Sequence, residues 1–390
     1  MAPGAGVSDE SHMFAGLVRD GWHLHLLVPR TPDGIESRSG ITVHTFPNVL
    51  AIPRRLPAPL QRLWLLPAFW LVAARAAVKL ARQVEPALVL GFSHYGAWPA
   101  FRAGRAVRAP SVLKLFGVMH AGRLDWPRAR YLYHALEGVL AFKVPLDHFL
   151  VLNDGTRGAA AAQRWGVPQE RVTFLPNGVD KDWAHRDWQR DATRTAMSVK
   201  PGTVVFLSLS RLVDSKRVDR TVAAFAAAHA QLHVDTELWI VGDGPRRAAL
   251  EAQCRATGVQ ARFLGTVQHD RVPSVMAAAD VFVSTSELTN MAIPTCEAML
   301  LGRPVIGLDV SGTAECVRDG ETGLLAPEDD APALAACIVR LANEGALRET
   351  LGAGARAFAA RNFMDWDVRV AAELELFRRL AGAPGAGDPP

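Results

Sequence analysis

Short apolar runs alternate with longer, Ala-rich stretches along most of the chain. Each run has the length of a buried strand, and stretches such as 218–230 and 246–257 resemble helices. Strict alternation of strand and helix predicts α/β domains with parallel sheets that helices cover on both faces. The predicted strands are 24–28, 41–46, 87–90, 111–116, 148–152, 172–175, 204–209, 237–241, 262–264, 281–284, 305–308 and 323–325.

The alternating pattern runs twice, and a polar stretch at 181–201 separates the two runs. This stretch carries Trp183 and Trp188, so we expect it to be docked on a domain. Two Rossmann-like, doubly wound domains facing across a cleft would bind a ligand at the carboxyl ends of their strands. The predicted parts are a first domain 1–180, a second domain 181–365, a helix 366–382 that crosses back to the first domain, and a disordered tail 383–390.

The start of the chain departs from this architecture. A domain of this kind opens with a central strand, then a Gly-rich turn and a helix, but here the turn Gly4-Ala-Gly6 comes first. Met1-Ala-Pro is too short for a strand, and proline cannot donate a hydrogen bond in a central strand. We therefore expect that the chain is truncated, or its start misassigned, by roughly 10–20 residues. The alternative is that neighbouring strands close the gap.

The most apolar stretch, 63–74, contains Pro67 and is too short to span a bilayer. One interpretation is a buried helix. The other is an interfacial helix, giving peripheral membrane contact through 54–82. In the second case aromatic side chains would enter the bilayer and cations would meet headgroups; the residues are Trp64, Phe69, Trp70, Arg54, Arg55, Arg62, Arg75 and Lys79.

Composition and charge narrow the class of protein. The chain has 390 residues, 49% of them hydrophobic, which suffices for two cores. A net charge of +4 without a dense basic tract argues against nucleic acid as a partner. The four cysteines form no CxxC pair or zinc-finger spacing, so we expect reduced core residues, no metal and a cytoplasmic protein. The first residues also lack the basic and apolar blocks of a signal peptide.

Two cations follow the predicted strand 204–209, at the point where the chain enters a helix near Val218. Arg211 and Lys216 lie on this loop. An arginine fork, a lysine and a helix N-terminus together suit a diphosphate. The alternative is a solvated basic turn.

A glycine loop follows the strand 237–241. Gly242 and Gly244 would let the backbone pass close to a ligand, and Pro245 suits a first helical turn. Arg247 stands where a dinucleotide fingerprint has its third glycine, and the next strand carries no acid for a ribose. The loop therefore does not indicate a nicotinamide oxidoreductase.

Glu297 lies on a short helix that opens after Pro294. Its carboxylate can accept hydrogen bonds from both hydroxyls of a ribose. The alternative is a glutamate on a helix surface. The apolar neighbours Cys296, Ala298 and Met299 argue against this alternative.

Residues 203–327 resemble the donor domain of the retaining glycosyltransferase family 4, which has GT-B architecture. The resemblance rests on several motifs in the family's order. They are the Arg211 and Lys216 pair, Gly-Asp-Gly-Pro at 242–245, Phe263 with Gly265, and Glu-Ala-Met-x-x-Gly-x-Pro-Val at 297–305.

The resemblance implies a transferase that takes a sugar from a nucleotide-diphosphate donor with retention, without a cofactor or metal. It implies that Arg211 and Lys216 bind the diphosphate, that Glu297 binds the ribose, and that residues near Gly265 contact the base. The acceptor stays open between a glycan, a lipid and a small molecule. The candidate donor-binding residues are Gly242, Gly244, Gly265, Thr266, Thr289, Asn290, Met291, Ala292, Ile293 and Glu297.

The first half resembles the family more loosely. Asn177-Gly178-Val179-Asp180 matches the segment that closes the acceptor domain. A histidine often precedes the cleft glycine that Gly117 matches, but Phe116 stands there. Nearby His120 is our catalytic candidate, the alternative being a solvated loop histidine. Gly6 and Gly117 are the candidate acceptor-side glycines.

The chain also departs from the family. The usual motif is Glu, seven residues, Glu, and the first position holds Thr289. We expect Thr289 and Asn290 to lie beside the donor sugar in place of that carboxylate, whereas Glu287 could substitute only if the loop shifted by two residues. Arg217 and Ser210 replace glycines that flank the basic pair. The departures keep open an inactive nucleotide-sugar-binding protein, while another GT-B enzyme such as an epimerase would need more carboxylates.

Overall fold

The computed structural model describes residues 9–30, 36–49, 58–118, 120, 123–152, 155–287, 291–310 and 312–382, with backbone alone for 9, 58–64 and 155–156. The chain divides into two compact units. One runs as far as Pro176 and includes the chain from Asp367 onward, and the other is Asn177–Trp366. The division falls after 176, whereas the sequence suggested 180.

Parallel strands build the first unit, in two separate sheets. The smaller sheet pairs β1 with β2, and the larger has the order β3-β4-β5-β6. The buried pattern of β4 and β5 shows that the larger sheet is covered on both faces. The strands are β1 Leu24–Pro29, β2 Ile41–Phe46, β3 Val89–Phe92, β4 Ser111–Leu115, β5 His148–Leu152 and β6 Val172–Leu175.

No described strand joins the two sheets of the first unit. Leu24 of β1 and Leu90 of β3 pack against the same apolar cluster, yet their strands do not pair. The alternative expectation, that neighbouring strands close the gap, is therefore wrong for the described strands. Residues 1–8, which include Gly6, lie outside the described part of the chain.

Helices cover the sheets of the first unit. In α2, Phe69 is 7% exposed and meets Phe46 edge-on, while Trp70 stacks on Trp98. These contacts confirm a packed helix and bury Phe69, whereas Trp70 is half-buried and the side chain of Trp64 is not described. Peripheral membrane contact through 54–82 stays a prediction. The helices are α1 Asp9–Arg19, α2 Ala58–Val84, α3 Ser93–Val107, α4 Arg128–Phe142 and α5 Gly155–Arg164.

The second unit contains a six-stranded parallel sheet of order β10-β9-β8-β11-β12-β13 in its described part. The chain moves outward from β8 in one direction and then returns to begin the other half at β11. The boundary between β8 and β11 is thus the topological switch point of the sheet. The strands are β7 Gly178–Val179, β8 Val204–Leu209, β9 Thr236–Val241, β10 Ala261–Gly265, β11 Val281–Ser284, β12 Val305–Leu308, β13 Gly323–Ala326 and β14 Met364–Asp365. The short strands β7 and β14 pair with each other, apart from this sheet.

Alternate residues of β8 enter two different cores. Val204 and Phe206 belong to one apolar cluster and Val205 and Leu207 to the other, so helices bury both faces of the sheet. The helices are α6 Arg190–Ala196, α7 Val218–Ala228, α8 Arg247–Thr257, α9 Val272–Ala278, α10 Ile293–Leu300, α11 Thr313–Cys316, α12 Ala331–Asn343 and α13 Gly345–Asn362.

The segment 181–201 is docked on the second unit, as its tryptophans indicated. Trp183 is 4% exposed and meets Trp188 edge-on. From α6, Arg190 and Arg194 both form salt bridges with Asp280, which also accepts from a backbone amide of β8. The segment therefore forms part of the unit that carries the donor motifs.

The last helix, α14 (Trp366–Ala381), is fixed to the first unit by a buried cluster of charges. Lys114 is the fourth of the five residues of β4, and its Nζ is 2.7 Å from a carboxylate oxygen of Glu373. Arg369 binds the same carboxylate, and all three side chains are fully buried. Arg369 also donates to the carbonyl of Pro176, and Lys114 to the sulfur of Met13.

We expect Glu373→Ala to destabilise the protein by about 3–5 kcal/mol, because two buried cations would lose their counter-charge. Urea unfolding monitored by circular dichroism measures this cost. Asp367→Ala is the matched control, since Asp367 lies on the same helix but pairs with Arg19 at an exposed site. Equal effects of the two substitutions would show that the buried cluster does not stabilise the unit.

Candidate donor site

The loops that leave β8 and β11 meet at the switch point. Thr285, just after β11, donates to the carbonyl of Arg217 at 2.8 Å, and its hydroxyl also pairs with Thr221 of α7 at 2.9 Å. The amide of Glu287 donates to the carbonyl of Ser215. These hydrogen bonds hold the two loops together, and the sequence analysis did not identify the threonine pair.

Arg211 and Lys216 lie close together on the β8 loop. Arg211 is exposed, whereas Lys216 is half-buried at the end of a 3₁₀ turn. Burial lowers the pKa of Lys216, and the charge of Arg211 lowers it further. Two adjacent cations, one of them partly desolvated, would each gain from a bound anion. The structure thus brings this predicted pair together.

Arg217, which replaces a family glycine, has a left-handed backbone with φ of +46°. This conformation is costly for a residue with a Cβ, which explains why glycine suits the position. The guanidinium forms salt bridges with Asp219 and Glu287, both at 3.2 Å. The hydrogen bond to Asp219 is the main cause that raises the pKa of Arg217. The carboxylate of Glu287 is therefore engaged by Arg217.

The glycine loop packs directly against the β8 loop. A Cβ on Gly242 would overlap the carbonyl oxygen of Ser210, and one on Gly244 would overlap that of Leu212. Both glycines also have positive φ, at +122° and +157°. The amide of Leu212 donates to the carbonyl of Asp243. This loop–loop contact, which the sequence analysis did not foresee, explains why both positions need glycine.

Glu297 is buried on α10, the helix that follows β11. It is 7% exposed, and burial raises the pKa of its carboxyl to about 8. The charge of Asp180, next to the short strand β7, adds to this increase. The alternative of a solvated surface glutamate is therefore contradicted. A buried carboxyl without full compensation of its charge is typical of a binding or catalytic position.

The remaining donor-side candidates are placed as follows. Gly265 ends β10 with φ of +68°, accepts a hydrogen bond from the amide of Gly242, and is followed by exposed Thr266. The half-buried residues Met291, Ala292 and Ile293 lead into α10. Thr289 and Asn290 lie outside the described residues, so their predicted position beside the donor sugar stays a prediction.

The acceptor-side candidates lie in the first unit. Phe116 stacks on Phe92, so the residue in the place of the family histidine is an aromatic packing residue. Gly117 has φ of +129°. His120 has φ of +60° and its ring contacts Trp126, with centroids 5.3 Å apart. His120 is thus held in a left-handed conformation among aromatic rings.

Other expected features can be checked directly. All four cysteines are free and buried, as predicted. Among the described residues, no group of three or more His, Cys, Asp or Glu side chains is arranged to hold a metal ion. None of the described helices combines the length and apolar character that crossing a membrane requires.

Two family models match the chain. The model described as "Glycosyl transferases group 1" matches residues 203–344, and the "Glycosyl transferase 4-like domain" matches residues 10–178. The chain belongs to the group 1 glycosyltransferase family. The resemblance of the donor motifs to family 4 is thereby confirmed. The first half, which resembles the family more loosely, also matches a family model of its own.

Individual relatives agree with this assignment. Alpha-D-kanosaminyltransferase of Streptomyces kanamyceticus is 29% identical over 202 residues, which cover 50% of this chain and 52% of that protein. The chain spans about half the length of several curated relatives that it matches.

Solved structures share the fold. Sucrose-phosphate synthase from Thermosynechococcus elongatus has a TM-score of 0.75 at 21% identity, covering 98% of this chain and 97% of that one. HepE from Anabaena in complex with UDP-glucose has a TM-score of 0.67 at 21% identity, covering 96% and 97%. The two Rossmann-like units of this group 1 glycosyltransferase therefore have the predicted GT-B fold.

We expect Glu297→Gln to stabilise the free protein relative to wild type as the pH rises. Between the ordinary pKa of about 4.5 and the raised value of about 8, the unfolded chain ionises this carboxyl while the folded chain keeps it protonated. Wild type therefore loses about 1.4 kcal/mol of stability per pH unit across this window, and the glutamine variant does not.

Urea unfolding of both proteins at pH 5, 6.5 and 8 measures this difference. Glu349→Gln, at an exposed position on α13, controls for the loss of one acidic group. If the two variants differ from wild type by the same amount at every pH, burial of Glu297 does not raise its pKa.

Proposed function

We propose that this protein transfers a hexose from a nucleotide-diphosphate sugar to an acceptor, with retention and without a metal ion. One observation carries the proposal. The loop that contains Arg211 and Lys216 is hydrogen-bonded to the loop that leads to Glu297, at the switch point of a parallel sheet. Ligands bind at such points in doubly wound folds. The family assignment supports the same donor class, and the four free cysteines support a reducing, cytoplasmic location.

The proposed binding mode assigns one group of the donor to each part of the site. Arg211 and Lys216 bind the diphosphate through charge-assisted hydrogen bonds. The carboxyl group of Glu297 binds the hydroxyls of the ribose. Residues around Gly265 lie near the base, and the loop that contains Thr289 and Asn290 binds the sugar. HepE, which shares the fold, was solved with UDP-glucose, so this donor is the first to test here.

Breaking the bond at the anomeric carbon leaves positive charge on the sugar and negative charge on the departing diphosphate. Stabilising that diphosphate is the main catalytic task, and the two adjacent cations Arg211 and Lys216 supply the positive charge for it. The half-buried Lys216 interacts more strongly than a fully hydrated lysine would. In the proposed mechanism a phosphate oxygen of the donor accepts the proton of the acceptor hydroxyl on the same face, which retains the configuration.

An inactive nucleotide-sugar-binding protein is the second candidate, and the replacement at Thr289 favours it. A thermal-shift panel of nucleotide sugars identifies the donor, since a ligand of the native state raises the melting temperature. Release of nucleoside diphosphate with candidate acceptors then separates the two functions. Binding without turnover supports the inactive protein, whereas transfer to an acceptor supports the enzyme.

We expect Arg211→Ala and Lys216→Ala each to weaken nucleoside diphosphate binding by roughly 10- to 100-fold. Each change removes a charge-assisted hydrogen bond worth about 1.5–3 kcal/mol. Isothermal titration calorimetry measures the affinity. Lys200→Ala is the control, because this exposed lysine precedes the opposite, amino end of the same strand. Wild-type affinity in the variant that carries both substitutions would show that neither residue belongs to the site.

We expect Glu297→Gln to lower nucleoside diphosphate affinity about tenfold, the loss of one good hydrogen bond. Inorganic pyrophosphate is the control ligand, since it lacks the ribose and should bind the variant as it binds wild type. Calorimetry with both ligands tests the assignment. A parallel loss for pyrophosphate would mean that the substitution disturbs the diphosphate site, and no loss for either ligand would refute the ribose role.

A further inference from the structure

A cavity of about 680 Å³ opens on the surface of the second unit, beside α13. Its size falls within the range of about 300–1,000 Å³ that is typical of small-molecule sites. The walls are α13, the end of α10 and a short 3₁₀ helix, Lys181–Ala184. We call this cavity the α13 pocket; its basic and small side chains include Lys181, His185, Arg356, Ala353, Ala357 and Ala360.

The α13 pocket lies at the opposite edge of the sheet from the donor site. Gly302, which lines the pocket, stands in the turn between α10 and Val305, the first residue of β12. Residues that precede a parallel strand lie at the amino edge of the sheet, whereas Arg211 and Lys216 follow β8 at the carboxyl edge. A ligand in this pocket therefore uses none of the groups assigned to the donor.

Small residues create the space in the pocket. A Cβ added to Gly352 would lie 2.5 Å from the carbonyl oxygen of Gly302, so α13 packs with its backbone against that turn. On the exposed side of the same helix, Ala353, Ala357 and Ala360 line the pocket. Because an alanine side chain ends at Cβ, the volume beside this face of α13 can hold a ligand.

Two cations are held at the pocket, each by one backbone carbonyl. Lys181 donates to the carbonyl of Ala360 at 3.0 Å, and Arg356, one turn earlier on α13, donates to that of Leu301 at 3.3 Å. Each cation has further N–H donors, and the imidazole of His185 adds a third basic group. Among the described residues that line the pocket, none is acidic. The lining therefore suits an anion.

Partly buried arginines add positive charge next to the pocket. Burial is the main cause that lowers the pKa of Arg303, in the turn before β12, to about 10. The charges of Arg190, Arg356 and Arg194 lower this pKa as well. The charge of Asp280 opposes them, but Asp280 already pairs with Arg190 and Arg194. An anion beside Arg356 would offset part of the repulsion among these guanidinium groups.

We propose that the α13 pocket binds a small molecule in which a phosphate group is joined to a compact apolar body. A phosphate offers three acceptor oxygens, which bind Lys181, Arg356 and His185. The apolar body lies along the alanines of α13. This site is independent of the proposed function, because its residues and those of the donor site lie at opposite edges of the sheet.

Three probes test both parts of this ligand. Phenyl phosphate carries a phosphate and an apolar ring, inorganic phosphate lacks the ring, and phenol lacks the phosphate. Isothermal titration calorimetry on the full chain measures the affinity for each probe. We expect phenyl phosphate to bind at least about tenfold more tightly than either of the other two.

Substitutions of the cations test where the phosphate binds. We expect Arg356→Gln and Lys181→Gln each to weaken phenyl phosphate binding by about tenfold or more, because each removes a charge-assisted hydrogen bond. Arg255→Gln is the matched control, since Arg255 is exposed on α8, outside the pocket, and its loss changes the net charge equally. We expect it to keep the wild-type affinity. The variant carrying Arg211→Ala and Lys216→Ala should keep it too.

A second kind of variant fills the pocket without changing its charge. Ala357→Leu adds a larger side chain on the face of α13 that lines the pocket, while leucine remains a good helix former. We expect it to lower the affinity for phenyl phosphate about tenfold. Ala346→Leu, exposed near the start of the same helix and outside the pocket, should bind as wild type does. Melting temperatures close to that of wild type show that the variants are folded.

Several results would overturn the proposal: no binding of phenyl phosphate, equally tight binding of either other probe, or an unchanged affinity in both Arg356→Gln and Ala357→Leu. Loss of binding in the variant without Arg211 and Lys216 would also overturn it, because the phosphate would then occupy the proposed diphosphate site. An equal loss in Arg255→Gln would show an effect of net charge alone. Donor binding is measured separately with nucleotide sugars, so the proposed function and the α13 pocket can each fail without the other.

Discussion

The pairing of β8 with β11 is the contact on which the donor site depends. Phe206 pairs with Val281 and Leu207 with Phe282, although these residues are about 75 positions apart in the chain. Because both strands are parallel, their carboxyl ends lie at the same edge of the sheet, and the loops that follow them must meet there. The cations of one loop and the glutamate beyond the other come together for this reason. The threonine hydrogen bonds would have no partner without that adjacency, whereas the contact of the glycine loop with the β8 loop depends on the pairing of β8 with β9.

Much of this arrangement was predictable from the pattern of apolar residues. The strands at 204–209, 281–284 and 305–308 are observed with the predicted bounds, because polar residues delimit each run sharply. The run around β3 is different: Ala87 to Phe92 is apolar throughout, so the predicted strand 87–90 is displaced by two residues from the observed Val89–Phe92. An apolar run of six residues is longer than the strand of four residues, so the run alone does not determine which of its residues pair.

Features that depend on distant contacts could not be found in the same way. The strands β7 and β14 have two residues each and exist only because Gly178 pairs with Met364 across the chain. The buried cluster of charges left one signal in the sequence, which is a lysine inside the apolar strand 111–116. Arg369 and Glu373, by contrast, have the spacing of an ordinary surface pair. The replacement of a family glycine by Arg217 hinted at its left-handed backbone, but the two carboxylates that bind its guanidinium could not be identified from the sequence.

The buried cluster of charges also limits the order in which the two units can fold during synthesis. Lys114 is made early, whereas its counter-charge Glu373 lies near the end of the chain. The donor unit is one continuous segment, so it has all its residues before the first unit has its last helix. Domains fold as they emerge from the ribosome. The unit that is translated first is therefore completed last, because Lys114 acquires its carboxylate partner only once α14 has been made.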